Sequence, residues 1–405
     1  MNTITQNSVE KLPETPQTQY AVPATNWRRV FGLRERGVYY ALLLLIAVIT
    51  LLTSYLGQAN YLSVLNLSNV VYQSSLMAIM AVAMTVVLIS GNFDLSVASV
   101  AALSAVILIG NADAIGFIPA AALAMAVAMA IGLINGSIVQ FLGINAFIVT
   151  LGTMTAVRGL VLIYTDGRSL SASDPDVIAT MKAFEGGRHD GFWLIVAGGV
   201  LLLVLGLIGL AKTLSSKAPM RPSSIGLTIG GVALLLLAWA SAGELTLRNP
   251  VIYLFIFTAI VWFTLTFTMV GRRLYAVGGN SEAARLSGIN VLLYKLMAFV
   301  FCSGAAGFAG ILFASRLRSI NPAGLQGAEL TVIAAAILGG TSLFGGAGSV
   351  IKTLAGALLL FSLTNGFNIL NLGANWQGLI EGIVVVVAAA IYTVGGNKSK
   401  SKTGG

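Results

Sequence analysis

Residues 250–291 read PVIYLFIFTAIVWFTLTFTMV and then GRRLYAVGGNSEAARLSGINV. The first half has no charged residue and, as a helix, is long enough to cross about 30 Å of hydrocarbon. The second half places Arg272, Arg273, Glu282 and Arg285 in a chain that is only 9% charged. Another apolar run begins at 292. A polar element bracketed by glycines and held between two membrane spans is the reading that organises the rest of the chain.

Working outward, runs of the same kind recur near 38–56, 69–90, 95–110, 115–140, 144–165, 192–211, 225–243, 292–315, 328–344, 350–371 and 376–394. Those at 95–110 and 328–344 are short for a full crossing. The chain is 57% hydrophobic, with a mean hydropathy of +0.90, whereas a soluble domain carries roughly a quarter charged residues. Continuous apolar runs, rather than ten-residue alternation, exclude a β-barrel. The expected fold is an all-α polytopic membrane protein of about 10–12 transmembrane helices, with an internal, inverted repeat and broken half-helices.

Residues 1–36 contain a Thr-, Gln- and Pro-rich stretch and read as a disordered cytoplasmic tail. A single transmembrane domain over 37–394 includes extra helices at 192–243, and a basic tail follows over 395–405. Lys and Arg collect on one side if the N-terminus is inside and every segment crosses, which places both termini and 271–291 in the cytoplasm. The net charge of +9 then reflects that asymmetry, and nucleic acid is not an expected partner. Cys302 and His189 are the only residues of their types, which removes disulfide frameworks, thiol metal cages and His-based catalytic sets. No G-x-x-x-x-G-K-[ST] stretch occurs, so no P-loop is present. No metal site and no catalytic residue is expected; the chain does not read as an enzyme.

Leu133-Ile-Asn135-Gly136 followed by Leu142-Gly143-Ile-Asn145 recurs as Leu363-Thr-Asn365-Gly366 followed by Leu372-Gly373-Ala-Asn375. Upstream, Ile89-Ser-Gly91-Asn92-Phe-Asp94-Leu resembles Leu338-Gly-Gly340-Thr341-Ser-Leu-Phe. Inverted repeats with glycine-broken helices are a transporter pattern in which the breaks line the path. The topology above inverts the Asn-Gly pair but leaves the upstream pair in one orientation, so one short segment is expected to be a half-helix. Asp94 reads either as a polar lining of a path or as a cap for a helix starting at Leu95; unpaired at mid-membrane it would cost roughly 2.5–3.5 kcal/mol. Glu381 is the other acid within an apolar run. Asn92, Asn145, Thr341, Asn365, Asn368 and Asn375 would hydrogen-bond a hydroxylated solute or one another between helices.

Within 271–291, Gly271, Gly278 and Gly279 are expected to break the chain before Ser281 as N-cap. Glu282 favours the helix dipole, Arg285 lies three residues on to pair with it, and Gly288 supplies the C-cap. A helix of about two turns is too short to stand alone in water. It must dock on the protein's own surface or on a partner.

Glu282-Ala283-Ala284-x3-Gly288 resembles the EAA-x3-G loop of permease subunits in binding-protein-dependent ABC importers. The wider stretch from Gly271 to Asn290, with Arg272, Arg273, Gly278, Gly279, Asn280 and Arg285, is similar to that of ribose/xylose-type monosaccharide permeases. So are Gly91-x-x-Asp94-Leu95-Ser96 and Gly339-Gly340-Thr341-Ser342-Leu…Gly345-Gly346…Gly348-Ser349-Val350. The resemblance implies a homodimer in the bacterial inner (plasma) membrane. It implies a cytoplasmic ABC ATPase partner that binds ATP and Mg, with no cofactor on this chain. It also implies a periplasmic or surface-anchored sugar-binding protein, met near Arg316, Arg318 and Glu329, and a coupling helix at 281–288. The chain departs from the pattern at Thr331, where many members carry Asp, and in lacking an Ile-x-Leu-Pro after the EAA loop. The insertion at 192–243 is similar to that of xylose-type members, which makes xylose or a related pentose or hexose the expected solute. An ion-coupled secondary transporter using Asp94 or Glu381 is the alternative, and it gives 271–291 no task.

Overall fold

A computed structural model of the chain describes residues 33–215, 222–241 and 246–372, together with Trp376, Leu379, Gly382 and Ile383. Asn375, Glu381, the C-terminal tail and most of the N-terminal tail lie outside the described residues. The elements run α1 Leu33–Tyr55, α2 Val64–Ile89, α3 Val97–Ile115, α4 Phe117–Phe141, α5 Ala146–Thr165, β1 Leu170–Ser171, α6 Pro175–Gly186, β2 Arg188–Asp190 and α7 Gly191–Ser215. They continue as α8 Pro222–Ser241, β3 Thr246–Arg248, α9 Asn249–Phe267, α10 Met269–Gly279, α11 Ser281–Leu286, α12 Val291–Leu317, β4 Ser319–Ile320, α13 Ala328–Leu338 and α14 Val350–Ile369.

Among the described residues nine helices are long and apolar enough to cross a membrane: α1 to α5, α7, α9, α12 and α14. The fold is therefore an all-α polytopic one. Two expectations change. The first helix already starts at Leu33, inside the stretch read as tail. The segment expected to end near 110 continues to Ile115, because its polar end is satisfied. Asn111 donates to the Ile107 carbonyl and the Tyr164 hydroxyl, and Asp113 accepts from the Ser173 and Asp174 amides. The segment at 328–344 is the half-helix, since α13 spans 11 residues.

α2 and α12 run through the centre; the apolar window of α2 is 83% buried, against 11% for α1 and α7. Because lipid is as apolar as leucine, close approach of backbones rather than hydrophobicity holds such helices together. α12 supplies it with small residues. A Cβ on Gly310 would collide with the Ala101 carbonyl of α3, and one on Gly307 would lie 2.6 Å from the Ala128 Cβ of α4. The hairpin α7–α8 packs almost wholly on itself among the described residues. It does so through Gly206 against Thr228 and Gly231 against the Leu203 backbone. It is tied to the bundle by β2 and β3, antiparallel with His189 opposite Leu247. β1 and β4 pair likewise, Leu170 opposite Ile320.

The sequence repeat follows two different relations. α14 is antiparallel to α2, because Asn66 near the start of α2 bonds Asn365 near the end of α14. α13 is antiparallel to α14, with Gly339 against Thr353 and Gly356 against Ala335. So α2 and α13, which carry the upstream match, run the same way. The Asn-Gly pair is inverted: Gly136 packs on Leu296 at the α11 end of the bundle, and Gly366 on Ile49 at the opposite end. The Asn-Gly pair is thus inverted and the upstream pair is not, as the topology read from the sequence has it, with α13 as the half-helix.

Candidate functional site

The polar element after α9 forms two consecutive short helices. Thr268 caps α10, its hydroxyl accepting from the Gly271 amide at 3.4 Å. Gly271 does not break the chain; a side chain there would collide with the Leu265 backbone across the α9–α10 bend. α10 continues through Gly278 and Gly279. The N-cap of α11 is Asn280, not Ser281: the Asn280 side chain accepts from the Ala283 amide at 3.0 Å, while the Ser281 hydroxyl turns back to the Val277 carbonyl. Ser287 is the C-cap and Gly288 follows at φ +78°, the left-handed position glycine occupies after a helix. Its amide and that of Ile289 close onto the Arg285 and Ala284 carbonyls.

Glu282 and Arg285 pair as expected at 2.7 Å, both mainly exposed. Arg272 and Arg273 are exposed too, and Ala284 is the buried residue of α11. One face of the short helix is therefore seated and the charged face is open.

Gly278 and Gly279 have a task that the sequence reading missed. A Cβ on Gly278 would collide with the Ile89 carbonyl at the end of α2. One on Gly345 would fall 2.5 Å from the Gly278 oxygen, and one on Gly346 2.5 Å from the Gly279 Cα. The Gly346 amide donates to the Ile89 carbonyl at 2.9 Å, and the Tyr275 hydroxyl to the Gly348 carbonyl at 2.9 Å. Three backbones thus meet in one glycine node: the end of α10, the end of α2 and the α13–α14 connection. At its tip Phe344 is 94% exposed. The signal was present as the pairs Gly278-Gly279 and Gly345-Gly346, but nothing in one dimension brings them together.

The polar residues between α2 and α3 turn inward. Asp94 is fully buried, and α3 begins at Val97 rather than Leu95, so Asp94 does not cap it. Its Oδ1 accepts from the Ser96 amide and hydroxyl. Asn135 of α4 donates to the Ser96 hydroxyl at 3.1 Å, and Thr153 of α5 donates to Asn135 at 2.6 Å. The Asp94 Oδ2 has no partner at hydrogen-bond distance, nor do the buried Ser99, Ser303 and Thr341 hydroxyls. Asn92 is buried with its amide on Ser90.

Other residues expected on a path are elsewhere. Asn145 is an exposed helix cap, accepting from the Phe147 amide. Asn365 is engaged with Asn66. Asn368 is exposed at the end of α14. The set expected to line one path is therefore dispersed over both ends of the bundle.

At the end opposite α11, Arg316 donates to Glu185 at 2.7 Å, the two side chains being 18% and 6% exposed. Tyr72 donates to the same carboxylate at 2.6 Å, with its ring between the Arg316 and Arg248 guanidiniums at 4.0 and 4.1 Å. Arg318 is exposed at φ +56°. Glu329 sits in the first turn of α13 with one oxygen buried and unpartnered.

Two cavities flank α12. One of about 450 Å³ lies between α2, α12, α13 and α14 and includes Met77, Phe313, Gln326, Thr331, Phe361 and Thr364. The other, about 550 Å³, lies between α4, α9 and α12 and is lined by Met125, Met129, Ile260, Phe257, Met297 and Phe301 among others. No group of three or more His, Cys, Asp or Glu able to hold a metal occurs among the described residues.

Residues 66–389 match the family described as branched-chain amino acid transport system / permease component. The chain is 33% identical to the ribose import permease protein RbsC of Escherichia coli (strain K12), over 89% of this chain and 94% of that one. It is 33% identical to the xylose transport system permease protein XylH of Haemophilus influenzae (strain ATCC 51907 / DSM 11121 / KW20 / Rd), over 89% and 97%. Identity to the xylose transport system permease protein XylH of Escherichia coli (strain K12) is 31%, over 86% and 90%. No solved structure matches the chain significantly.

Proposed function

The chain belongs to the branched-chain amino acid transport system / permease component family, and on that premise we propose that it is the membrane permease of an ATP-driven monosaccharide importer. Ribose and xylose, the solutes named for its relatives, are the first to test. The observation that carries the reading is the glycine node, which fastens the end of α10, just before α11, to the end of α2 and to the α13–α14 connection.

In this reading two copies form the pathway, and α11 faces the cytoplasm. A separate ABC ATPase, holding ATP and Mg, takes the open charged face of Glu282 and Arg285, with Arg272 and Arg273 beside it. When the ATPase subunits close, α11 moves, and backbone contact at Gly278 passes the displacement to α2 and to the α13–α14 connection without a compliant side chain between. A sugar-binding protein docks at the opposite end. Of the two arginines expected there, Arg316 is engaged with Glu185, so Arg318 is the cation offered to it. Both sites bias one inward–outward equilibrium, so loading outside and nucleotide inside are reciprocally coupled. Glu282→Lys should abolish co-purification with the ATPase while the bundle stays folded; normal co-purification would count against the coupling role.

A second reading rests on Asp94, a fully buried acid with an unpartnered oxygen, and makes the chain an ion-coupled transporter. Uptake in vesicles separates the two. The importer works after the ion gradient is collapsed and needs ATP and a binding protein; the ion-coupled transporter behaves the opposite way.

A further inference from the structure

The 450 Å³ cavity sits where the half-helix begins. Gly356 against Ala335 and Gly339 against Thr353 set Ala328 level with Leu363 and Thr364. That is roughly 8 Å short of the α14 end at 1.5 Å per residue. The chain leading into α13 is therefore sunk below the end of the bundle and is not helical: Leu325 has φ +61° and Gly327 φ +83°. Irregular backbone at membrane depth is tolerated only when buried in protein or lining a water-filled cavity. Arg158 braces this loop, donating to the Pro322 and Gly324 carbonyls at 3.1 and 2.9 Å.

The lining suits one kind of solute. Gln326 and Thr331 supply an amide and a hydroxyl, the Thr364 hydroxyl beside them donates to the Leu360 carbonyl, and Phe313, Phe361 and Met77 supply apolar surface. None of the lining side chains is charged. A zwitterionic amino acid would need a cation for its carboxylate. The nearby Arg158 has Nη1 on the loop carbonyls, and Glu329 in the first turn of α13 opposes an anion at that helix end. A lipid chain would need no hydrogen-bonding groups, and the oily cavity across α12 is the place for one. A monosaccharide has hydroxyls and C–H faces and no charge.

Resting on the importer reading above, we propose that this cavity holds one neutral monosaccharide within each permease chain. Gln326 and Thr331 bond its hydroxyls, and Phe313 and Phe361 meet its C–H side. α13 is then the mechanical link, for its first turn lines the cavity and the connection that follows its far end enters the glycine node.

The test uses the full chain reconstituted with its ATPase and binding protein, with D-ribose, D-xylose and L-leucine as probes. Cys302 is fully buried, so the unsubstituted chain is the blank for a membrane-impermeant thiol reagent. Labelling of Thr331→Cys, and of Gln326→Cys should the first misfold, is expected to slow about fivefold or more in saturating ribose or xylose and not in leucine. Gln326→Leu and Thr331→Val should each cut uptake roughly tenfold, the worth of a hydrogen bond or two, while ATP hydrolysis stimulated by the binding protein persists. Protection by leucine, no protection by either sugar, or undiminished uptake in both variants overturns the assignment. Sugar protection in a complex that cannot use ATP for uptake would sink the importer reading and leave the cavity standing. ATP-driven uptake without protection would do the reverse.

Discussion

The two ends of the bundle are fastened by opposite means. At the α11 end, Gly278, Gly345 and Gly346 let three backbones touch with no side chain between them. At the other end, Arg316, Glu185 and Tyr72 are joined by side-chain hydrogen bonds, with Arg248 stacked on the tyrosine. Backbone contact has no rotamers to absorb a displacement, so a push on one of these segments would be passed to the others. An ion pair on long side chains breaks and re-forms within a fixed frame. The importer reading proposed above asks one end to pass motion and the other to admit a solute, and this arrangement suits it.

The comparison breaks first at the charged end. Glu185→Ala leaves the Arg316 guanidinium buried without its partner and should destabilise the fold by about 3–5 kcal/mol, read from unfolding in detergent. Glu185→Asp, which keeps the charge, should recover part of it.

Gly278→Ala tests the other end. Added volume against immobile backbone should cost about 1–3 kcal/mol and, if the node transmits motion, abolish ATP-driven uptake even in chains that remain folded. A folded Gly278→Ala permease with normal uptake would refute transmission through the node. A smaller effect is expected at Asn365→Ala, which removes one interhelical pair, about 0.6 kcal/mol and at most about 1.7. Smallest is Glu282→Gln: its exposed bond to Arg285 should leave the unfolding midpoint unchanged, and only ATPase association should respond.

Much of this was legible in one dimension because membrane helices are written in plain runs. Uninterrupted apolar stretches predicted most of the spans, and Glu282, Arg285 and Gly288 predicted the paired, glycine-ended α11. The errors have physical causes. Gly271 reads as a breaker but lies inside α10, for the same missing Cβ that permits a turn also permits close packing. Asp94 reads as a cap for a helix starting at Leu95, but that helix starts at Val97 with Ser96 as its N-cap. The Asp94 carboxylate accepts from Ser96 in the same turn, and Asn135 of α4 and Thr153 of α5 extend that chain of bonds behind Ser96. Gln326 carries no mark in the sequence, because a single polar residue beside an apolar segment has no periodicity, and Thr331 stands out only as a departure from the family pattern.

By itself, the sequence determined that the chain is a helical membrane protein, where most of its spans lie, that one polar element carries a short capped helix, and which family it resembles. Those are properties of local composition and spacing, which a hydrocarbon environment forces to be explicit. Only the tertiary structure decided that 328–338 is a half-helix opening on a cavity, that two glycine pairs and the end of α2, far apart in the chain, form one node, and that Arg316 is engaged with Glu185. Each depends on which backbones approach closely, and in a membrane that is settled by shape and by pairing across helices rather than by the run of apolar residues along one.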